Sequence, residues 1–183
     1  MNVIKVNPIG PIGGQYQAAY ERAINKLMSL QLSAGYISLP KSETMGENSF
    51  KSTTTGFILI PEYRVYFKEA PMGFYGSVFG RWRSVTEKLT DTTVPSVTSG
   101  KNVSYTEKTN TIGGGLCLGF QYVVHDIFSI DIFAGPQFKS RTSKRTYDYC
   151  VTDDDFNNKF IDFKIKDKAG FGCRAGISFG VMF

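Results

Sequence analysis

Apolar residues recur on every second position in six stretches of this chain, and the positions between them mostly hold glycine, serine or charge. In residues 28–36, Met28, Leu30, Leu32, Ala34 and Tyr36 share one face, while Ser29, Gln31, Ser33 and Gly35 share the other. Residues 57–68 set Phe57, Leu59, Tyr63, Val65 and Phe67 against Ile58, Ile60, Glu62, Arg64, Tyr66 and Lys68. The same period runs through 74–83, 112–122 and 128–139, and through 169–183, where it persists to the final Phe183. A period of two is that of a β-strand with two chemically different faces. Pro61 falls inside one such run, so its missing N–H calls for a bulge or another irregularity in the ladder.

The connections alternate in length. Short ones near Asn25, residues 69–72 and His125 are separated by long polar ones around 40–52, 90–104 and 147–159. Two further strands, 3–9 and 15–23, are expected before the first clear run, with the Pro/Gly-rich stretch between them turning the chain. The total is about eight, an even number that returns both termini to the end with short turns. Short turns at one end and long loops at the other are the layout of a closed, antiparallel, up-and-down transmembrane β-barrel. The expected fold class is therefore all-β, with residues 1–183 forming a single barrel domain.

The residue types on each face decide which points outward. Glu21, Glu62, Arg64, Arg81, Arg83, Asp131 and Arg174 recur on the polar face beside small residues, which suits the crowded inside of a narrow barrel. The other face carries aliphatic residues, with Tyr20, Phe67, Phe74, Tyr122, Phe128 and Phe183 near the short-turn end and Tyr36, Trp82 and Phe138 near the loop end. Two aromatic bands around an aliphatic one match a bilayer with its two interfaces. A soluble ligand-carrying barrel would reverse the faces.

Composition agrees. The chain has 183 residues, 14% of them aromatic, and 19 glycines. No stretch approaches the roughly 18 consecutive apolar residues of a membrane-spanning helix. The N-terminus has no charged segment followed by an apolar core, so an exported form would have lost its signal from this sequence. The net charge of +5 is dispersed and no recognition motif gathers it, which gives no ground for a nucleic-acid partner.

The terminal strand, with Phe179, Val181 and a final Phe183, resembles the C-terminal signal by which the barrel-assembly machinery recognises bacterial outer-membrane proteins. The opening NVIKVNPIGPIGGQYQAAYERAINKLMSLQLSAGY and the PEYRVYF segment are similar to small barrels of Bacteroides-type bacteria, with the architecture of OmpX- and OmpW-like proteins. The resemblance implies an outer-membrane location with both termini periplasmic, contact with outer-membrane lipid and lipopolysaccharide, and no particular activity.

Candidate chemistry is sparse. Catalysis at neutral pH near the lipid headgroups favours a histidine, and the sole one, His125, falls in a short turn at the opposite end. Glu21, Glu62 and Asp131 sit among arginines, where buried charges ordinarily neutralise one another. Cys117, Cys150 and Cys173 are too far apart in sequence for a zinc pattern. Asp153, Asp154 and Asp155 lack the spacing of a calcium loop, and Gly113, Gly114 and Gly115 open no phosphate-binding helix. No enzyme activity, cofactor or metal is expected. Lys139, Arg141, Lys144 and Arg145 lie where the seventh strand leaves the membrane and could meet lipopolysaccharide phosphates.

An eight-stranded barrel is narrow enough for side chains to fill. The expected function is thus that of a non-enzymatic outer-membrane barrel with a filled lumen. Extended loops would bind a protein or glycan partner, or make the protein an accessory of an envelope complex. Strand-like alternation around 90–104 and through 160–168 suggests hairpins that project beyond the membrane. The alternative is a narrow OmpW-like conduit for small hydrophobic molecules, with an apolar pocket open to the loops and a lateral gap in the wall. A lipid-modifying enzyme is the least favoured reading.

Overall fold

The computed structural model of the chain describes the backbone at residues 1–45, 48–95, 102–147 and 169–183, and side chains at 1–39, 52–88, 106–146 and 169–183. The strands are β1 (Asn2–Val6), β2 (Gln15–Ala23), β3 (Met28–Met45), β4 (Asn48–Tyr66), β5 (Gly73–Pro95), β6 (Asn102–Val124), β7 (Phe128–Tyr147) and β8 (Gly170–Met182). Each pairs antiparallel with its neighbours in sequence, and β8 pairs with β1 to close an eight-stranded barrel. At the seam Asn2 and Phe183 exchange both backbone hydrogen bonds, each 2.9 Å. Both termini therefore lie at the end with the short turns. One of these, residues 125–127, has positive φ at His125 and Asp126 and is closed by the Ile127 N–H donating to the Val124 carbonyl at 3.1 Å, a turn that matches the right-handed twist of the strands.

Three expectations about strand extent change. β1 stops at Val6 rather than residue 9, because the Asn7 side chain accepts from the backbone N–H groups of Ile9 and Gly10 and turns the chain into a 3₁₀ turn, Gly10–Gly13. Residues 40–52 are not a long loop. Residues 40–45 and 48–52 belong to β3 and β4, which stay paired as far as Met45 opposite Asn48. Likewise β5 and β6 consume most of 90–104. Polar residues at positions of both parities erase the period of two in these extensions, and the Thr residues among them favour extended backbone. The expectations for 153–155, for 160–168, for Cys150 and for the centre of the loop after β5 lie outside the described residues.

Pro61 sits at an interruption, as expected, though not at a bulge. Pairing of β4 with β5 lapses between Leu59–Trp82 and Glu62–Phe79 and resumes in the same register. Pro136 stands in a matching lapse between β6 and β7. An imino acid with no N–H to donate is thus accommodated by omitting rungs.

Alternation sorts the side chains into two environments. Leu30, Leu32, Val78, Leu116, Leu118 and Ile132 project outward at mid-height, each at least half exposed. Phe67, Phe74, Tyr122, Phe128 and Phe183 ring the short-turn end, and Tyr36, Phe57, Trp82, Phe138 and Phe171 ring the other. The buried residues are largely polar and lie inside. This is the inverse of a water-soluble fold.

Glycines on the inner face make room for rings. Tyr75 lies opposite Gly119, Phe79 opposite Gly115, and Phe133 opposite Gly176. A Cβ at Gly119 would fall on the Tyr75 ring, and one at Gly176 on the Phe133 ring. Each aromatic lies across its glycine, which lets a narrow barrel hold large side chains.

Candidate functional site: the ionic lumen

The charged residues gathered in the lumen come from strands far apart in sequence. Arg64 of β4 is fully buried. Its guanidinium donates at 2.8 Å to both Glu62 and Asp131, lies 3.5 Å from Glu21, and stacks 4.4 Å from the centre of the Tyr75 ring. Lys5 of β1 meets Glu21 at 2.5 Å, Asp131 at 2.8 Å and the Gln121 amide oxygen at 2.8 Å. Tyr66 donates to Glu21 at 2.6 Å, Ser29 donates to the same carboxylate, and Tyr75 donates to Asp131 at 2.7 Å.

Arg174 of β8 extends the cluster upward. It donates to the second oxygen of Glu62 at 2.8 Å, with its guanidinium 4.4 Å from the Phe79 ring centre and 4.5 Å from that of Phe133. A planar, weakly hydrated cation between two rings retains its charge where an ammonium would fit poorly. Glu62 thereby bridges two arginines.

The core of the network holds Lys5, Arg64 and Arg174 against Glu21, Glu62 and Asp131, three cations to three anions. Desolvating so many charges is tolerable only because each is paired and hydrogen-bonded. The arrangement suits a rigid plug. Its carboxylates are interleaved with cations, and among the described residues no group of three or more His, Cys, Asp or Glu is placed to hold a metal.

The sequence-expected residues divide into tiers. Glu21, Glu62, Arg64, Asp131 and Arg174 come together in this cluster. Arg81 lies above them and donates to Gln137 at 3.4 Å, and Arg83 is half-buried one inward position further along β5. The parity of β1 marked Lys5 as inward beside Val3, yet so short a strand carries a weak periodic signal. Tyr75 and Gln121 were legible only as inner-face positions. Their role as ligands of the ions depends on contacts across the lumen.

The four cations on β7 do not form one outward patch. Arg141 lies 3.1 Å from Glu107 of β6 and Arg145 lies 3.8 Å from it. Lys139 shares their inward parity, and its chain comes within 3.9 Å of the Cβ position at Gly172. Lys144 alone has the outward parity. At the other end of the chain, Phe179, Val181 and Phe183 are exposed on the outer wall, with Phe179 and Val181 paired to β7 and β1.

A closed eight-stranded antiparallel barrel, apolar outside and ionic within, is the class of protein that this fold and site define. The chain belongs to the family described as "Protein of unknown function (DUF3575)", whose model matches residues 3–181. No curated protein matches it. Among solved structures it is similar to CarO of Acinetobacter baumannii, with 12% identity, a TM-score of 0.50, and coverage of 100% of this chain and 96% of that one. CarO2 of the same organism gives 13% identity and a TM-score of 0.47, covering 98% of this chain and 95% of that one. The likeness to CarO shows a shared barrel fold.

Proposed function

We propose that this chain is a non-enzymatic bacterial outer-membrane barrel, both termini periplasmic, that engages a protein or glycan partner through hairpins projecting above the membrane. The outward apolar wall between two aromatic bands supports the location, since an outer-membrane barrel presents such a wall to lipid. Kinship with the small Bacteroides-type barrels of OmpX- and OmpW-like architecture belongs to the same reading. So does recognition of Phe183 by the barrel-assembly machinery.

The observation that carries the binding role is the unequal height of the wall. Strands β3 to β7 run 18, 19, 23, 23 and 20 residues. A tilted strand crosses a bilayer in roughly 9–11 residues, so these continue well beyond it. β2 pairs with β3 only up to Ile37, so residues 39–45 of β3 have β4 on one side and, among the described residues, no strand on the other. A raised sheet with an open edge offers backbone hydrogen bonds to an incoming strand.

The conduit alternative calls for an apolar pocket open to the loops, and the ionic lumen favours the first reading. Lipopolysaccharide contact at the loop end is retained for Lys144, which faces out. The test is a pull-down from detergent-solubilised membranes with the intact chain and with a variant lacking residues 41–52. The intact chain is expected to recover a partner that the shortened one loses. Recovery of no partner, together with no phenotype on shortening the hairpin, would count against the proposal.

A further inference from the structure

Above the aromatic band at the loop end, β5, β6 and β7 sort their charges by face. The inward positions carry Glu87, Glu107, Arg141 and Arg145, and Glu107 takes both arginines, at 3.1 Å and 3.8 Å. The outward positions carry Lys88, Lys108 and Lys144, all exposed. Among the described residues, every other outward position above Trp82, Ile112 and Phe138 on these strands is Ser, Thr or Asn, and none is an acid.

Register gathers the three lysines. Lys108 stands directly opposite Lys144 of β7. On its other side it stands opposite Thr86 of β5, two residues from Lys88. Directly opposed residues on one face have Cβ atoms roughly 5 Å apart, diagonal ones roughly 7–8 Å, and like charges so placed repel. Among the described residues none of the three lysines has an ion pair or a hydrogen bond. The acids next to them in sequence, Glu87 and Glu107, face the other way, where Glu87 accepts from Ser52 and Glu107 holds its arginines. Three ammonium groups left unneutralised on one exposed face are complementary to an anion from outside the chain.

Their height selects the anion. Trp82 and Phe138 mark the upper edge of the apolar wall. Lys108 lies four residues beyond Ile112. That is roughly 13 Å along a strand at about 3.3 Å per residue, and less in height because strands tilt by roughly 45°. Lysine stems reach back along the wall, so the charges stand at the level of lipid headgroups. Directly below, on the same three strands, Val78, Leu116, Leu118, Ala134 and Pro136 line an apolar groove on the outer wall, a bed for an acyl chain.

We infer that Lys88, Lys108 and Lys144 form a docking site for a phosphorylated lipid headgroup of the outer leaflet. Phosphate oxygens bridge Lys108 and Lys144, relieving their repulsion, and an acyl chain lies in the groove below. The site rests on the outer-membrane reading, and it gives the lipid contact of Lys144 two partners that only the register supplies.

The experiment titrates the purified chain in dodecyl maltoside micelles with diphosphoryl lipid A and counts bound lipid by native mass spectrometry. Lipid A stripped of both phosphates is the comparator, and heat-modifiable gel migration verifies that each variant is folded. Diphosphoryl lipid A is expected to bind saturably, and the stripped lipid at least about tenfold more weakly. The triple variant Lys88→Gln, Lys108→Gln, Lys144→Gln is expected to lose roughly tenfold or more in affinity. Arg22→Gln, Lys26→Gln, Lys68→Gln removes three exposed cations from the short-turn end and is expected to bind as the unaltered chain does. In lipid-free micelles Lys108→Gln alone should leave the thermal midpoint unchanged or raise it, while shrinking the rise that lipid A produces. Equal binding of the two lipids, equal losses in the two triple variants, a lowered lipid-free midpoint for Lys108→Gln, or displacement of the lipid by an equal concentration of inorganic phosphate would overturn the inference. A chain that recovers its partner in the hairpin pull-down but fails this titration loses only the lipid site, so the two proposals fail separately.

Discussion

Glu62 on the fourth strand and Arg174 on the last are 112 residues apart in sequence and meet at 2.8 Å in the lumen, where the other carboxylate oxygen of Glu62 takes Arg64. The contact ties the closing strand to the middle of the wall. Arg174 and the second oxygen of Glu62 meet only once β8 has docked, so this pair couples barrel closure to neutralisation of the lumen.

Breaking that pair on one side is expected to be costly. Arg174→Met should destabilise the refolded barrel by about 3–5 kcal/mol, because it leaves half of a buried carboxylate without its cation. The double variant Glu62→Gln, Arg174→Met should recover a large part of the loss. Urea unfolding of all four members of the cycle, followed by the gel shift between folded and unfolded forms, measures the coupling.

The glycines facing rings separate sharply from those that do not. Gly119→Ala drives a methyl group into the Tyr75 ring and is expected to destabilise by about 1–3 kcal/mol through overpacking. Gly76→Ala meets only Leu118, at 3.9 Å, and should be tolerated. Equal unfolding midpoints for the two variants would contradict the ring-over-glycine packing.

At the C-terminus, assembly and stability can be told apart. The backbone of Phe183 closes the seam with Asn2, whereas its side chain is 66% exposed on the outer wall. Phe183→Ala keeps the backbone bonds, so refolding into detergent should proceed as for the unaltered chain. If the ring is read by the assembly machinery, the same variant should accumulate poorly in outer membranes. Immunoblotting of fractionated membranes against the refolding yield checks both halves.

Conduction follows from the plug. Arg64, Tyr66, Tyr75, Lys5 and Gln121 are among the largest fully buried side chains and fill the short-turn half of the lumen. Planar bilayers containing the purified protein are expected to show no stable large single-channel steps. Such steps at neutral pH would mean that the network opens.

The hydrophobic pattern alone determined six of the eight strands, the inward parity of Glu62, Arg64, Asp131 and Arg174, and the outward aromatic bands. That follows from the fixed period of a strand, which reports its faces wherever one meets lipid and the other a polar lumen. Where polar residues stand at positions of both parities the period vanishes, and residues 40–45 and 48–52 read as a loop although β3 and β4 stay paired there. Lys139, Arg141 and Arg145 share the parity of Asp131, yet Glu107 as partner to Arg141 and Arg145 came only with the register of β6 against β7. The terminus of β1 at Val6 was settled by the Asn7 turn. Which inward charges touch depends on closure of the barrel, because only the closed ring brings residues from β1, β4, β7 and β8 within hydrogen-bonding distance across so narrow a space.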